Sequence, residues 1–227
     1  MKFAVALALL FATPVLAQEV GHPPSTSPYR DIPTPQRLSA FVGYLFAAEG
    51  ELGAIPKDAP LFGLRYEVTV GGPAQFFARA AFAPSKRNAY DPSKPPATRS
   101  LGEVSAPLTM IDVGFSFNLT GQKSWHNLVP TAGFGVGIAS SMKTTEGDPY
   151  RFGTKFLFTT DFGLRYLPPG RSLEWRVNVG NALYQTRFPT PYFVSTSGAP
   201  LLGSDVARSK YRFNWTLTAG AAYPIFR

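Results

Sequence analysis

The sequence predicts an all-β chain: an eight-stranded antiparallel up-and-down transmembrane β-barrel. Three observations predict it. Apolar and polar side chains alternate with period two over eight segments; the links between those segments alternate long and short; and past the first twenty or so residues no stretch has the length of a membrane helix or the period of an amphipathic one.

The chain opens on Met1 and Lys2, runs apolar over 3–16 and closes on the small Ala17 before Gln18 and Glu19. A charged start, a short apolar middle and a small-residue end are the layout of a secretory signal peptide, so residues 1–17 are read as a leader and Gln18 as the mature start. A membrane anchor would need roughly 20 apolar residues to cross as a helix, more than this run supplies. Residues 18–36, QEVGHPPSTSPYRDIPTPQ, are rich in Pro and small polar residues and carry no period. That composition reads as a flexible periplasmic lead-in, with a proline-rich ligand for a recognition domain as the alternative. Residues 37–227 are the expected barrel.

The eight segments cover about 38–47, 61–70, 75–83, 108–119, 128–141, 154–167, 173–188 and 211–226. Long links follow the odd segments and short ones the even, an asymmetry expected of a barrel with short periplasmic turns, longer external loops and both termini in the periplasm.

Two faces run along each segment. The sixth sets Phe156, Phe158, Thr160, Phe162, Leu164 and Tyr166 against Lys155, Leu157, Thr159, Asp161, Gly163 and Arg165. The seventh sets Leu173, Trp175, Val177 and Val179 against Glu174, Arg176, Asn178 and Gly180, and the eighth sets Phe213, Trp215, Leu217, Ala219 and Tyr223 against Arg212, Asn214, Thr216, Thr218 and Gly220. The second puts Phe62, Leu64, Tyr66 and Val68 opposite Arg65, Glu67 and Thr69; the fourth puts Met110, Phe115, Phe117 and Leu119 opposite Asp112, Ser116 and Asn118. A soluble sandwich would bury the aromatic face and wet the charged one, whereas a membrane barrel does the reverse, and periodicity alone does not choose. The leader, the loop asymmetry, the lack of helices and the aromatic residues near segment ends choose the barrel.

On that reading Arg65, Arg79, Arg165 and Arg176, with Arg212 as a further candidate, face Glu67, Asp112, Asp161 and Glu174 inside the cylinder. An eight-stranded barrel has room for little beyond its own side chains, so these charges are expected to form a packed ion-pair network and not a porin channel. Gly133, Gly135 and Gly137 of the fifth segment fall on the same face and are expected to make room for bulky Arg and aromatic side chains opposite.

The last segment ends TAGAAYPIFR. Thr218, Gly220, Tyr223 and Ile225 match the spacing of the C-terminal signal by which outer-membrane barrels are recognised by the barrel-assembly machinery. With the eight segments, this makes the chain similar to the small OmpA/OmpX-like outer-membrane β-barrel domain family. Pro224 and the trailing Arg227 depart from that signal; Pro224 removes a ladder donor and is expected at the strand's edge or past its last paired residue.

There are 22 Lys and Arg against 14 Asp and Glu, and no Cys, which leaves no disulfide, thiolate metal site or lipidated cysteine. The basic balance raises nucleic acid, but for an exported chain acidic headgroups are the better partner. Outer-membrane lipid and lipopolysaccharide, met by a basic external loop with Lys86, Arg87, Lys94 and Arg99, are the expected contacts, with no nucleic acid and no cofactor; a monomer is expected.

Little points to catalysis. The histidines are His22, in the lead-in, and His126, in a short turn beside Trp125. The resemblance to lipid A deacylase barrels fails at His126, which is followed by Asn127 and Leu128 where a serine belongs, and a palmitoyltransferase-like barrel wants an external His. Glu146 and Asp148 are read as a solvated turn with at most weak calcium affinity, and Asn118-Leu119-Thr120 as a chance glycosylation pattern. The expectation is a non-enzymatic barrel with a structural, membrane-maintenance or surface-interaction role. The alternative is a narrow small-solute channel, with a lipid A-modifying enzyme behind it.

Overall fold

The computed structural model describes residues 27–33, 36–194 and 199–226. The expected leader, His22 and much of the lead-in lie outside the described residues. Twelve strands are numbered in chain order: β1 (Tyr29–Asp31), β2 (Gln36–Phe46), β3 (Ala59–Gly71), β4 (Ala74–Ala83), β5 (Lys86–Tyr90), β6 (Ser100–Ser105), β7 (Leu108–Asn118), β8 (Lys123–Trp125), β9 (Leu128–Ser141), β10 (Gly153–Tyr166), β11 (Glu174–Arg187) and β12 (Ser209–Phe226).

Eight of them make the wall. In the order β2-β3-β4-β7-β9-β10-β11-β12 each pairs antiparallel with the next, and β12 returns to β2 from Trp215↔Phe46 to Pro224↔Arg37, so the sheet closes on itself. Closure leaves the middle of the cylinder without a free edge, which a wall of alternating apolar side chains requires if its backbone is to meet no water. Each wall strand ends within two residues of the segment read from the alternation.

The alternation fixes the faces. Along β10 Leu157, Thr159, Asp161 and Arg165 are buried inside, while Phe156, Phe162 and Leu164 stand exposed outside. Along β7 Leu108, Met110, Asp112, Ser116 and Asn118 are buried and Ile111, Val113, Phe115 and Phe117 are exposed. Met110 therefore points inward, correcting its expected place on the apolar face: an unbroken period of two puts it with Asp112, whatever its hydropathy. Outside, the apolar band on β11 runs from Trp175 to Leu183, about 27 Å along the strand.

Long connections at 47–58, 84–107, 142–152 and 188–208 gather at one end. Short ones at 72–73, 119–127 and 167–173 gather at the other, together with Gln36 and Phe226, which pair with each other. The 72–73 turn is tight because Gly72 adopts φ +55. In the 119–127 link Trp125 pairs with Leu128 around His126 and Asn127, at φ 50 and 63, the two successive left-handed residues of a hairpin turn matched to strand twist.

Three features depart from expectation. Part of the supposedly flexible lead-in, Tyr29–Asp31, pairs with Lys123–Trp125 below the wall, and the Ile32 amide bonds the Gln122 carbonyl. The loop at 84–107 holds the β5–β6 hairpin, a continuation of β4 and β7 past the bends at Pro84 and Pro107. Pro224 lies inside the ladder, opposite Arg37 and beside a register shift; β11 stops at Glu174 opposite Ala222, so β12 has one neighbour there and tolerates a residue without an N–H.

Glycines set how closely the wall packs. A Cβ on Gly137 would lie 1.9 Å from the Ile111 carbonyl oxygen, whereas one on Gly71 would meet nothing within 4 Å. Gly137→Val is expected to destabilise the folded barrel by about 2 kcal/mol or more, and Gly71→Ala to change it by less than about 0.5 kcal/mol, read as urea midpoints of refolding in lipid vesicles.

Candidate functional site

The lumen is polar at mid-barrel because inward positions of five wall strands, β3, β4, β7, β10 and β11, bring charges to it. Arg79 on β4 forms a two-point pair with Asp112 on β7, Nε to Oδ1 at 2.9 Å and Nη2 to Oδ2 at 2.8 Å, and the Thr159 hydroxyl donates to the same Oδ2 at 2.7 Å. Arg65 on β3 donates Nε to Glu67 at 2.9 Å and reaches Asp161 at 3.4 Å, while Arg176 on β11 donates to the other Glu67 oxygen at 2.7 Å. Phe77 fills the space between, with the Arg65 guanidinium 3.9 Å from its ring centre and that of Arg79 at 5.5 Å.

A second cluster lies toward the termini. Glu174 accepts Arg37 Nε on one oxygen and Arg165 Nη2 on the other, both at 2.7 Å, and Arg165 also donates to Asn118 at 3.1 Å. Arg37 is tied further to the Pro33 carbonyl.

The structure places all eight residues of the expected network, Arg65, Glu67, Arg79, Asp112, Asp161, Arg165, Glu174 and Arg176, inside the wall and brings them into these two clusters. It adds Asn118, expected on that face but not in the network, and Arg37, which sequence reasoning missed because it precedes the expected start of its strand, although it shares the period of the buried Ser39. Arg212 belongs elsewhere. It donates to Thr186 and the Glu49 carbonyl and pairs with Glu51 at the loop end. The glycines of β9 make room for carboxylates, not for Arg or aromatic side chains: a Cβ on Gly133 would lie 3.2 Å from Asp161 Oδ1, and one on Gly135 would lie 2.9 Å from Asp112 Oδ2.

Space left over is small. The mid-lumen cavity beside Arg65, Arg79, Asp112 and Arg176 has about 30 Å³ for water, room for two or three molecules at roughly 10–15 Å³ each.

Above the charges an apolar layer of Leu45, Leu61, Leu108, Leu157 and Tyr184 leads into a cap made by the long loops. Asp148 joins three of them. Its Oδ2 accepts Arg87 Nη1 of β5 at 2.5 Å, and its Oδ1 accepts the Tyr150 amide and the Tyr192 hydroxyl, each at 2.8 Å. Burial first, then the bond to and charge of Asp148, push the Tyr192 hydroxyl well above the usual phenol range, so it stays a donor. Arg87 also lies over the Tyr150 ring at 4.8 Å.

The loop cations expected to meet lipopolysaccharide differ in exposure, Lys86 and Lys94 lying at the surface and Arg87 inside. Arg87 is buried on Asp148, Lys86 pairs with Glu103, Lys94 with Asp91, and Arg99 donates to the Ala199 carbonyl. Asp148 is 2% exposed, which corrects its reading as a solvated turn, while Glu146 is exposed. Among the described residues no group of three or more His, Asp or Glu is placed to hold a metal. His126 packs edge-on against Trp125 at the short-turn end.

No protein-family profile matches the chain, and no curated protein matches it in sequence. Among solved structures it is similar to neisserial surface protein A (NspA), with 12% identity over 84% of this chain and 97% of that one and a TM-score of 0.51. A second is Ail, the attachment invasion locus protein of Yersinia pestis, with 15% identity over 83% and 99% and a TM-score of 0.40. The likeness to NspA is one of fold.

Removing one partner strands the others in a dry interior. Glu67→Ala is expected to cost about 3–5 kcal/mol of folding free energy in the same urea titration, since Arg65 and Arg176 both lose it. Asp148→Asn acts on the cap alone: limited proteolysis is expected to cut the long loops faster while the wall strands stay protected.

Proposed function

We propose that this chain is an outer-membrane barrel of a Gram-negative cell whose work is done by its wall and its external cap, in a structural or surface-interaction role. The observation that carries this reading is the inversion of its faces. Five guanidiniums, of Arg37, Arg65, Arg79, Arg165 and Arg176, pair with four carboxylates, of Glu67, Asp112, Asp161 and Glu174, inside. Meanwhile Phe162, Val177, Trp215 and Phe156 stand roughly half to two-thirds exposed outside. In water that arrangement would spend the hydrophobic effect on nothing; in a bilayer it is the favourable one.

Tilted by about 35–45°, the band from Trp175 to Leu183 spans about 20 Å of a hydrocarbon layer about 25 Å thick, and the aromatic residues beyond its ends cover the rest. Tyr166, Trp175 and Tyr223 mark its terminus end and Tyr211, Phe213 and Phe46 its loop end, as interfacial girdles do. The short turns and both ends of the barrel then face the periplasm, and the long loops face out. Thr218, Gly220, Tyr223 and Ile225 lie on β12, the strand that closes the ring on β2, with Tyr223 and Ile225 exposed on the lipid side. That position suits a signal read by the assembly machinery before closure. The little room among the lumen charges favours a sealed barrel over the small-solute channel, and His126, edge-on to Trp125 in a turn at the periplasmic end, favours a non-enzymatic role over lipid A modification.

Two measurements test this. The folded barrel in planar bilayers is expected to show no steady open level, and a stable conductance would refute the sealed lumen. Val179→Arg, at the middle of the lipid face, is expected to lower stability in vesicles by about 2–4 kcal/mol; a neutral outcome would place that face away from lipid.

A further inference from the structure

The wall is not closed to its full height. β10 pairs with β9 as far as Gly153↔Ser141, and β11 pairs with β12 as far as Arg187↔Ser209. Between β10 and β11 the ladder ends at Leu157↔Tyr184. Above that pair the two strands part and leave a seam at the external rim, where the chain offers unpaired strand edges to its surroundings.

The seam is cationic. An open cleft of about 260 Å³ is lined by Arg151 and Lys155 on the β10 side and by Arg187 and Arg208 on the other, with no carboxylate in the lining. Arg151 is steadied by one corner, Nη1 donating to the Asp148 and Tyr150 carbonyls, and the Arg208 guanidinium lies over the Phe193 ring. Lys155 and Arg187 have no hydrogen-bond or ion-pair partner among the described residues. Two carboxylates lie three residues in sequence from cations of the seam: Asp148 is turned inward on Arg87 and Tyr192, and the exposed Asp205 is outside the cleft lining. Like charges gathered without a counter-ion repel one another, so the site is built to take an anion. By contrast, the neighbouring cleft at 47–58 mixes Lys57 with Glu49 and Asp58.

Height and depth identify the anion. Arg187 occupies an outward position two residues beyond Gln185, which pairs with the girdle residue Tyr211, so it stands about 7 Å along the strand above the girdle, at headgroup level. Behind the seam Phe152, Leu157 and Tyr184 are buried, with Phe152 and Tyr184 packed edge to face at 5.5 Å, so the cleft is shallow and admits no acyl chain into the barrel. We propose that the seam docks a phosphorylated lipid headgroup of the surrounding membrane, its phosphate seated among Arg151, Lys155, Arg187 and Arg208. This rests on the membrane reading above and names the lipid chemistry that the barrel selects.

The test uses the full chain folded in detergent micelles, with phosphatidic acid as the phosphomonoester probe and phosphatidylcholine of the same tails as the control. Retained lipid is counted by native mass spectrometry for the wild type and for R187S/R208S, neither residue being part of the lumen network. The wild type is expected to keep phosphatidic acid in preference to phosphatidylcholine by roughly tenfold or more, and the double variant to lose that preference. Millimolar inorganic pyrophosphate is expected to leave the lipid in place. Equal retention of the two lipids by the wild type, an unchanged preference in the variant, or displacement by pyrophosphate, which would mark a site for soluble phosphates, overturns the proposal. Folding is read separately, as the shift in gel migration between unheated and boiled samples. Its absence in the wild type removes the membrane reading and the lipid site together, whereas its presence without lipid preference removes only the site.

Discussion

Everything in this molecule depends on one constraint: a sheet rolled so that its apolar side faces outward must settle all its charges within. The lumen has room for only about two or three waters at mid-barrel, too few to hydrate a stray guanidinium, so each of the five inward arginines finds a carboxylate. Some partners come from strands far apart in sequence, as when Arg176 on β11 meets Glu67 on β3. That contact forms only when the ring closes, whereas Arg79–Asp112 and Arg165–Glu174 join neighbouring strands and Arg65–Glu67 lies within one.

Packing follows from the same constraint. Carboxylates are short, so the strand that faces Asp112 and Asp161 must come close, and β9 does so by presenting Gly133, Gly135 and Gly137 in succession. Further up, where the lumen turns apolar, Leu157, Leu108 and Tyr184 replace the charges and the loops fold over them. The wall and the cap thus use opposite chemistry for the same purpose, ion pairs where the strands are fully laddered and aromatic packing where they begin to part.

Much of this was legible in the sequence, and what was not has physical reasons. A period of two held over ten or more residues identifies a wall strand and its inward set, so Arg65, Asp161 and Glu174 were found from spacing alone. Met110 is apolar yet shares the parity of Asp112, and parity, not hydropathy, decides its face. The β5–β6 hairpin was invisible because Lys86-Arg87-Asn88 carries no apolar alternation, and Pro84 and Pro107 read as loop residues where they are in fact bends in a continuing ladder. Arg87 and Asp148 are 61 positions apart in polar stretches, and no local pattern announces that such a pair will be buried. The rim seam is harder still, since it is a matter of where pairing stops, and pairing is a property of two strands together.

The tie that Asp148 makes between three loops bears on recognition. A binding face made of free loops must be frozen by its partner, and each side chain so immobilised takes about 0.5–1.5 kcal/mol from the affinity. Here the ordering has already been done during folding, by one carboxylate held in the dry by an arginine and a phenol. Whatever meets the outer side of this cap meets a finished shape, which favours fast, selective association over adaptable binding to many unlike partners.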